Sequence, residues 1–267
     1  MKDLQTEAEK KPFAAAVKAL WIEMFEDKES YVDHYMSSSW KHNRVLLLLR
    51  GEEIVSMLHL NPYTCIVQGE RLDLHYIVGV CTKKAEQGKG YMGQLVTEAL
   101  RICKEDGEPF TYLMPAAEAI YRPYDFVSAG WCDKFVIEAE EADPSLPQAR
   151  WDAIVPELGQ AGSIQNVGNH TLQICPFDRW TAGQTKQLES FAAELPMDMH
   201  AAWTAAYFAE TDQQMKCYDG ELVAVWDQEK PIAIAAYLCE EDQSEAEITH
   251  VLAAKQYQKL VCRQLAE

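Results

Sequence analysis

The stretch Leu74-His75-Tyr76-Ile77-Val78-Gly79-Val80-Cys81, then Thr82-Lys83-Lys84-Ala85-Glu86-Gln87, then Gly88-Lys89-Gly90-Tyr91-Met92-Gly93, decides the fold. Its first part is apolar enough to be a central strand. Its last part opens a helix predicted over Tyr91 to Lys104. Asp106-Gly107-Glu108-Pro109 ends that helix, with Gly107 placed for a left-handed cap. The glycines spell G-x-G-x-x-G, but a dinucleotide-binding loop sets its first glycine directly at the end of an early strand. Here Thr82 to Gln87 intervene, several strands already precede, and no acidic residue closes the next strand at Met114. A kinase reading fails for want of H-R-D and D-F-G sequences. What remains is a phosphate-binding turn or an ordinary glycine turn. Glycines at 88 and 90 let the backbone approach a pyrophosphate, whose oxygens successive N–H groups can bind. The helix from Tyr91 aims its positive end at the same point. Lys89 either adds charge there or faces solvent. Gly79 inside the strand marks a bulge, a close ligand approach or close packing.

Upstream, apolar residues at helical spacing predict a helix over Phe13 to Phe25 and a second over Glu29 to Met36. Arg44 to Leu49 and Ile54 to Leu60 read as a hairpin across Gly51-Glu52-Glu53, with a third strand at Thr64 to Val67 before the Gln68-Gly69-Glu70 turn. Downstream come a strand at Phe110 to Met114, a short helix near Ala116 to Tyr121, and a strand at Phe135 to Ile137. An acidic, then Gly/Ser/Asn-rich connector follows, with one short helix around Trp151 to Val155. From Thr171 a second unit echoes the first. Helices over Thr185 to Leu195 and Ala201 to Phe208 precede a hairpin of Leu222 to Lys230 with Ile232 to Leu238. Leu49-Arg50-Gly51-Glu52-Glu53 aligns with Trp226-Asp227-Gln228-Glu229-Lys230, as in a degenerate repeat. The place equivalent to the phosphate turn, Ala254-Lys255-Gln256-Tyr257-Gln258, has no glycine, so no second cofactor site is expected there.

Composition narrows the function classes. The chain has 267 residues, 48% of them hydrophobic, and a formal charge of −18. That charge argues against nucleic acid as partner; it either favours cationic ligands such as polyamines, aminoglycosides or lysine side chains or only maintains solubility. The longest aliphatic run, Val45 to Leu49, is far below the roughly 18 residues of a membrane helix. The charged N-terminus lacks the apolar core of a signal peptide, and a cytoplasmic protein without a membrane partner is expected. Cys65, Cys81, Cys103, Cys132, Cys175, Cys217, Cys239 and Cys262 are scattered, form no C-x-x-C pair and read mainly as small core residues; no metal site is expected.

These features resemble the GNAT superfamily of N-acetyltransferases over about Phe13 to Ile137. That family's Gln/Arg-x-x-Gly-x-Gly/Ala motif falls on Ala85-Glu86-Gln87-Gly88-Lys89-Gly90; both glycines match, Ala85 does not, and Gln87 can supply a polar contact. Arg44-Val45-Leu46, Glu52 to Leu58 and Pro115-Ala116-Ala117-Glu118-Ala119-Ile120-Tyr121 are similar to the tandem-GNAT enhanced-intracellular-survival type. The resemblance implies an α/β (α+β) fold, with a central mixed, mostly antiparallel sheet flanked by helices. It implies a GNAT domain over residues 1–140, a connector over 141–170, and a truncated GNAT-like unit over 171–267 without a cofactor loop.

It further implies acetyl-CoA as cofactor, held by Val78, Gly79, Val80, Gln87, Gly88, Lys89, Gly90 and Tyr91. Pantetheine would lie in the gap where the central strand parts from its neighbour, and a nearby N–H would polarise the thioester carbonyl. Tyr121 becomes the general acid by resemblance, with Tyr124 as fallback. In enhanced-intracellular-survival relatives a C-terminal carboxylate on a third domain helps deprotonate the amine. This sequence stops at Glu267 without one, which leaves Glu118, His75, His59, Glu53 or a water relay as candidate bases. The expected activity is acetyl transfer to a primary amine in a ternary complex; the alternative is a non-catalytic acyl-CoA-binding module. The second unit would wall the acceptor groove, where Glu240-Glu241-Asp242 or Glu245 to Glu247 could select cations, or mediate homo-oligomerisation.

Overall fold

The structure is a computed structural model that describes residues 1–130, 164–167, 170–239 and 246–266. The strand expected at Phe135 to Ile137, the helix around Trp151 to Val155 and the acidic run Glu240 to Glu245 lie outside the described residues. The chain forms two compact units, and Asp198–Ala201 belongs with the first. No helix among the described residues is long and apolar enough to cross a membrane.

The first unit runs β1 (Lys2–Leu4), α1 (Glu7–Lys10), α2 (Ala14–Met24), α3 (Glu29–Ser37), α4 (Ser39–His42), β2 (Arg44–Arg50), β3 (Glu53–Val67), β4 (Glu70–Thr82), α5 (Tyr91–Glu105) and α6 (Glu118–Tyr121). The strands pair antiparallel in the order β1-β2-β3-β4. Successive residues Val45, Leu46, Leu47 and Leu48 are all buried, because helices cover both faces. Val45 and Leu47 pack with Val17, Leu20, Trp21, Val32 and Tyr35 of α2 and α3. Leu46 and Leu48 pack with Leu95, Val96, Ala99 and Ile102 of α5. Gly107 caps α5 with φ +82°, as its position predicted.

Three expectations change. The strand foreseen at Thr64 to Val67 is the far half of β3, which runs unbroken through Asn61-Pro62. Pro62 faces His75, and the His75 amide points away from β3 and donates to the Glu108 carboxylate. Such a pair exchanges no main-chain bonds, so the missing proline N–H costs β3 nothing on that side. The strand foreseen at Phe110 to Met114 contributes a single parallel bridge, Tyr76 to Tyr112. The sheet is therefore mixed and mostly antiparallel. A short strand, Met199–Ala201, adds to Cys65–Val67 of β3; it occupies the start of the helix expected at Ala201, which instead begins after the cap Thr204 and spans Ala205–Lys216.

In the second unit, β5 (Ile164–Val167) and β6 (His170–Pro176) join, with Met199–Ala201 counted as β7, β8 (Glu221–Asp227), β9 (Lys230–Cys239) and β10 (Ala246–Ala253). The sheet order is β10-β9-β8-β6-β5, antiparallel throughout. Its central hairpin copies that of the first unit. Arg50 faces Glu53 and Asp227 faces Lys230, with a register shift just before each turn. Gly51 and Gln228 open the two turns at φ +65° and +57°. The units diverge after the next strand. Residues 83–90 separate β4 from α5, whereas Ala254 alone separates β10 from the helix Lys255–Ala266.

Candidate active site

The site grows from an irregularity in β4. Met57 faces Cys81 and His59 faces Val78, so Gly79 and Val80 together oppose Leu58. This bulge needs glycine twice over. Gly79 has φ +61°, and a Cβ there would stand 2.8 Å from Cζ3 of Trp21. Bulge and close packing, alternatives in the sequence, are both present. Val78 leans toward the α2–α3 side of the sheet and Val80 toward α5.

The outer edge of β4 opens at the same place. The Ile77 amide donates to the Tyr112 carbonyl at 2.9 Å, and beyond it this edge forms no further main-chain bond with the described residues. Unpaired backbone groups at a strand edge are ready to pair with an extended ligand.

The turn after β4 completes the geometry. Gly88 and Gly90 have φ +76° and +75°, and nothing lies within 4 Å of where their Cβ atoms would stand. Backbone conformation demands glycine here, and the space a side chain would fill is left open. Gly90 caps α5. The first amide there with a main-chain acceptor is Gln94, which donates to Gly90 at 3.2 Å; those of residues 88–93 have none among the described residues. Free amides on a helix start form an anion cradle.

Beneath the turn lies a carboxylate that sequence reasoning missed. Glu86 is buried and grips Arg50 from β2 and Lys89 at 2.9 Å. The Lys89 hydrogen bond chiefly holds the Glu86 carboxyl below its ordinary range. Lys89 is thereby tethered, and Gln87 turns back to the Thr82 carbonyl at 3.2 Å. The main-chain amides thus face the mouth with Arg50 and Lys89 as flanking charge.

Tyr121, at the end of α6, packs on the α5 side of the core with its ring 5.7 Å from that of Phe126. Burial raises its pKa and nearby Tyr76 of β4 adds to the rise. Its phenol therefore stays protonated at neutral pH, next to the strand that opens. Tyr124 goes elsewhere: its hydroxyl occupies the place of a Cβ on Gly93, which explains the third glycine of the pattern as a packing residue.

The candidate bases are not poised. Burial drives His59 down to about 3, and its Nδ1 contacts the Tyr35 hydroxyl at 2.9 Å. Hydrogen bonds lower Glu53, chiefly from Lys83, and Glu118, chiefly from Ser128. His75 pairs with Glu108, beyond the far end of α5.

Residues 8–129 match the family model of the acetyltransferase (GNAT) domain. This segment, just under half of the chain, is similar to that family. Solved structures share the fold over nearly the whole chain. A probable N-acyltransferase from Enterococcus faecalis matches with TM-score 0.59 and 14% identity, covering 96% of this chain and 58% of that one. Eis1 from Mycobacterium abscessus matches with TM-score 0.57 and 14% identity, covering 99% and 63%. A GCN5-related N-acetyltransferase from Anabaena variabilis gives 0.53 and 14%, covering 96% and 59%. The chain thus spans about three fifths of these GNAT-fold proteins. No curated protein of similar sequence was found.

Acetyl-CoA, which the resemblance implies, fits the residues present. The open mouth at Gly88 and Gly90 suits a pyrophosphate, and the free edge of β4 beyond Ile77 suits an extended amide chain. Both lie at the start of the one helix.

Proposed function

We propose that this protein is a cytoplasmic N-acetyltransferase that moves an acetyl group from acetyl-CoA to a primary amine of a cationic acceptor, in a ternary complex. One observation carries the reading. The opened edge of β4 runs from beside Tyr76, next to which the protonated Tyr121 lies, toward the glycine mouth of α5. Amides of residues 88–93 would hold the pyrophosphate, with Gln87 and Tyr91 flanking. Main-chain groups of Val78, Gly79 and Val80 would hold the pantetheine arm and polarise the thioester carbonyl.

The amine first gives a proton to solvent through a water relay, since no candidate base is poised. Its nitrogen then bonds the carbonyl carbon, and as the C–S bond breaks the nitrogen gives its second proton to the same water relay. The departing thiolate takes the Tyr121 proton, which solvent restores. A charge of −18 favours a cationic acceptor, in the class of aminoglycosides, polyamines or lysine side chains. The second unit, with its copied hairpin and direct β10-to-helix joint, is read as a degenerate GNAT repeat.

Release of CoA thiol from acetyl-CoA across a panel of those amines tests the proposal. Turnover on at least one is expected. Tight acetyl-CoA binding with no turnover on any would instead support a non-catalytic acyl-CoA-binding module.

A further inference from the structure

At the opposite end of α5 from the glycine mouth, three donor side chains of different chemistry converge. His75 comes from β4, Cys103 from the last turn of α5, and Glu108 from just past its cap. A ring nitrogen of His75, Sγ of Cys103 and a carboxylate oxygen of Glu108 all lie within 4.8 Å of one another. Tetrahedral zinc, with Zn–N near 2.0 Å and Zn–S near 2.3 Å, sets its ligands about 3.3–3.8 Å apart. Small side-chain adjustments bring the three donors to that spacing.

Rigid elements hold the arrangement. The Glu108 amide donates to the Cys103 carbonyl at 2.9 Å, closing the cap around Gly107. One Glu108 oxygen accepts the His75 amide at 2.8 Å, and the other meets Nδ1 of the same histidine. The Thr111 hydroxyl donates to the His75 carbonyl at 2.6 Å. Cys103 is buried, while the His75 side chain keeps 22% exposure and so leaves an entry path. The carbonyl end of the helix dipole also favours a cation here.

We propose that His75, Cys103 and Glu108 form a binding site for a soft divalent cation of the zinc type, with water as fourth ligand. The mixture of imidazole, thiolate and carboxylate selects zinc over calcium or magnesium, which prefer all-oxygen sets. Cys103 gives its proton to solvent as the metal–sulfur bond forms, and His75 exchanges its Glu108 contact for the metal. The site lies about 20 Å along the helix from Gly90, so its effect is structural. It ties β4 to the end of α5 and to the segment that carries Tyr112, the last partner of β4 before the edge opens.

The test uses the full chain, stripped of metal and titrated with Co²⁺. One equivalent should bring a sulfur-to-cobalt charge-transfer band in the near ultraviolet. Cys103→Ser should abolish the band, and Glu108→Gln, which keeps the shape of the cap, should weaken Zn²⁺ binding at least tenfold. On the unaltered chain, Zn²⁺ should protect Cys103 from alkylation, mapped against the other seven cysteines. Absence of the band, or alkylation of Cys103 at the same rate with and without Zn²⁺, overturns the proposal. So does equal Zn²⁺ binding by folded Cys103→Ser and Glu108→Gln variants.

Discussion

Gly79→Ala is the sharpest local perturbation of the site, because the bulge requires glycine for two separable reasons. An alanine at φ +61° costs about 1–2 kcal/mol in backbone strain. Its methyl would also stand 2.8 Å from Cζ3 and 3.2 Å from Cη2 of Trp21. Trp21 is buried and donates from Nε1 to Asp27 at 2.8 Å, so it has little freedom to withdraw, and overpacking adds about 1–3 kcal/mol. The expected loss is about 2–5 kcal/mol, read as a lower denaturant midpoint at unchanged slope. The two atoms contacted belong to the outer ring edge that phenylalanine lacks. In a Trp21→Phe background, Gly79→Ala should therefore cost only the backbone share, about 1–2 kcal/mol. The reasoning is refuted if Gly79→Ala is as stable as the parent, or if Trp21→Phe leaves its cost unchanged.

Tyr121→Phe should lower turnover by about 10²–10⁴-fold while acetyl-CoA affinity, measured calorimetrically, stays within twofold; equal rates would remove Tyr121 as acid. Gly90→Ala meets no protein atom within 4 Å, so it should cost the fold only about 1–2 kcal/mol yet weaken acetyl-CoA binding more than tenfold by filling the helix mouth. Acid should destabilise the first unit through His59. Its folded pKa of about 3 lies below the ordinary 6.5, so the unfolded chain binds the extra proton. The stability this contributes is complete above pH 6.5 and lost as pH falls toward 3, by up to about 5 kcal/mol. A His59→Leu variant should show a flatter stability profile across that window.

The local features of the site were legible in the sequence. The left-handed turns at Gly88, Gly90 and Gly107, the irregular strand at Gly79 and the element order all follow from short-range pattern and glycine chemistry. So does the copied hairpin, since Leu49 to Glu53 and Trp226 to Lys230 make the same two-residue turn. What escaped was set by partners distant in sequence. Pro62 looked like a strand break until the direction of the His75 amide showed that no bond was lost. Phe110 to Met114 carries strand-forming residues, yet only Tyr112 bridges, because β4 has turned away after its bulge.

The supporting residues were hidden for the same reason. Glu86 shows its role only when Arg50 of β2 pairs with it beside Lys89. Trp21 explains Gly79 only when α2 lies on β4. His75, Cys103 and Glu108 follow no metal-binding spacing, because strand, helix and cap supply one each. The GNAT motif gave the loop, and packing gave its foundations.

The central claim is that the mouth of α5 and the opened edge of β4 make one acetyl-CoA site in the first unit. Calorimetric titration of the full chain with acetyl-CoA tests it most directly. The account predicts one molecule bound per chain, with binding lost in a folded Gly88→Val, Gly90→Val variant. Two molecules per chain, or unchanged binding by that variant, would contradict it.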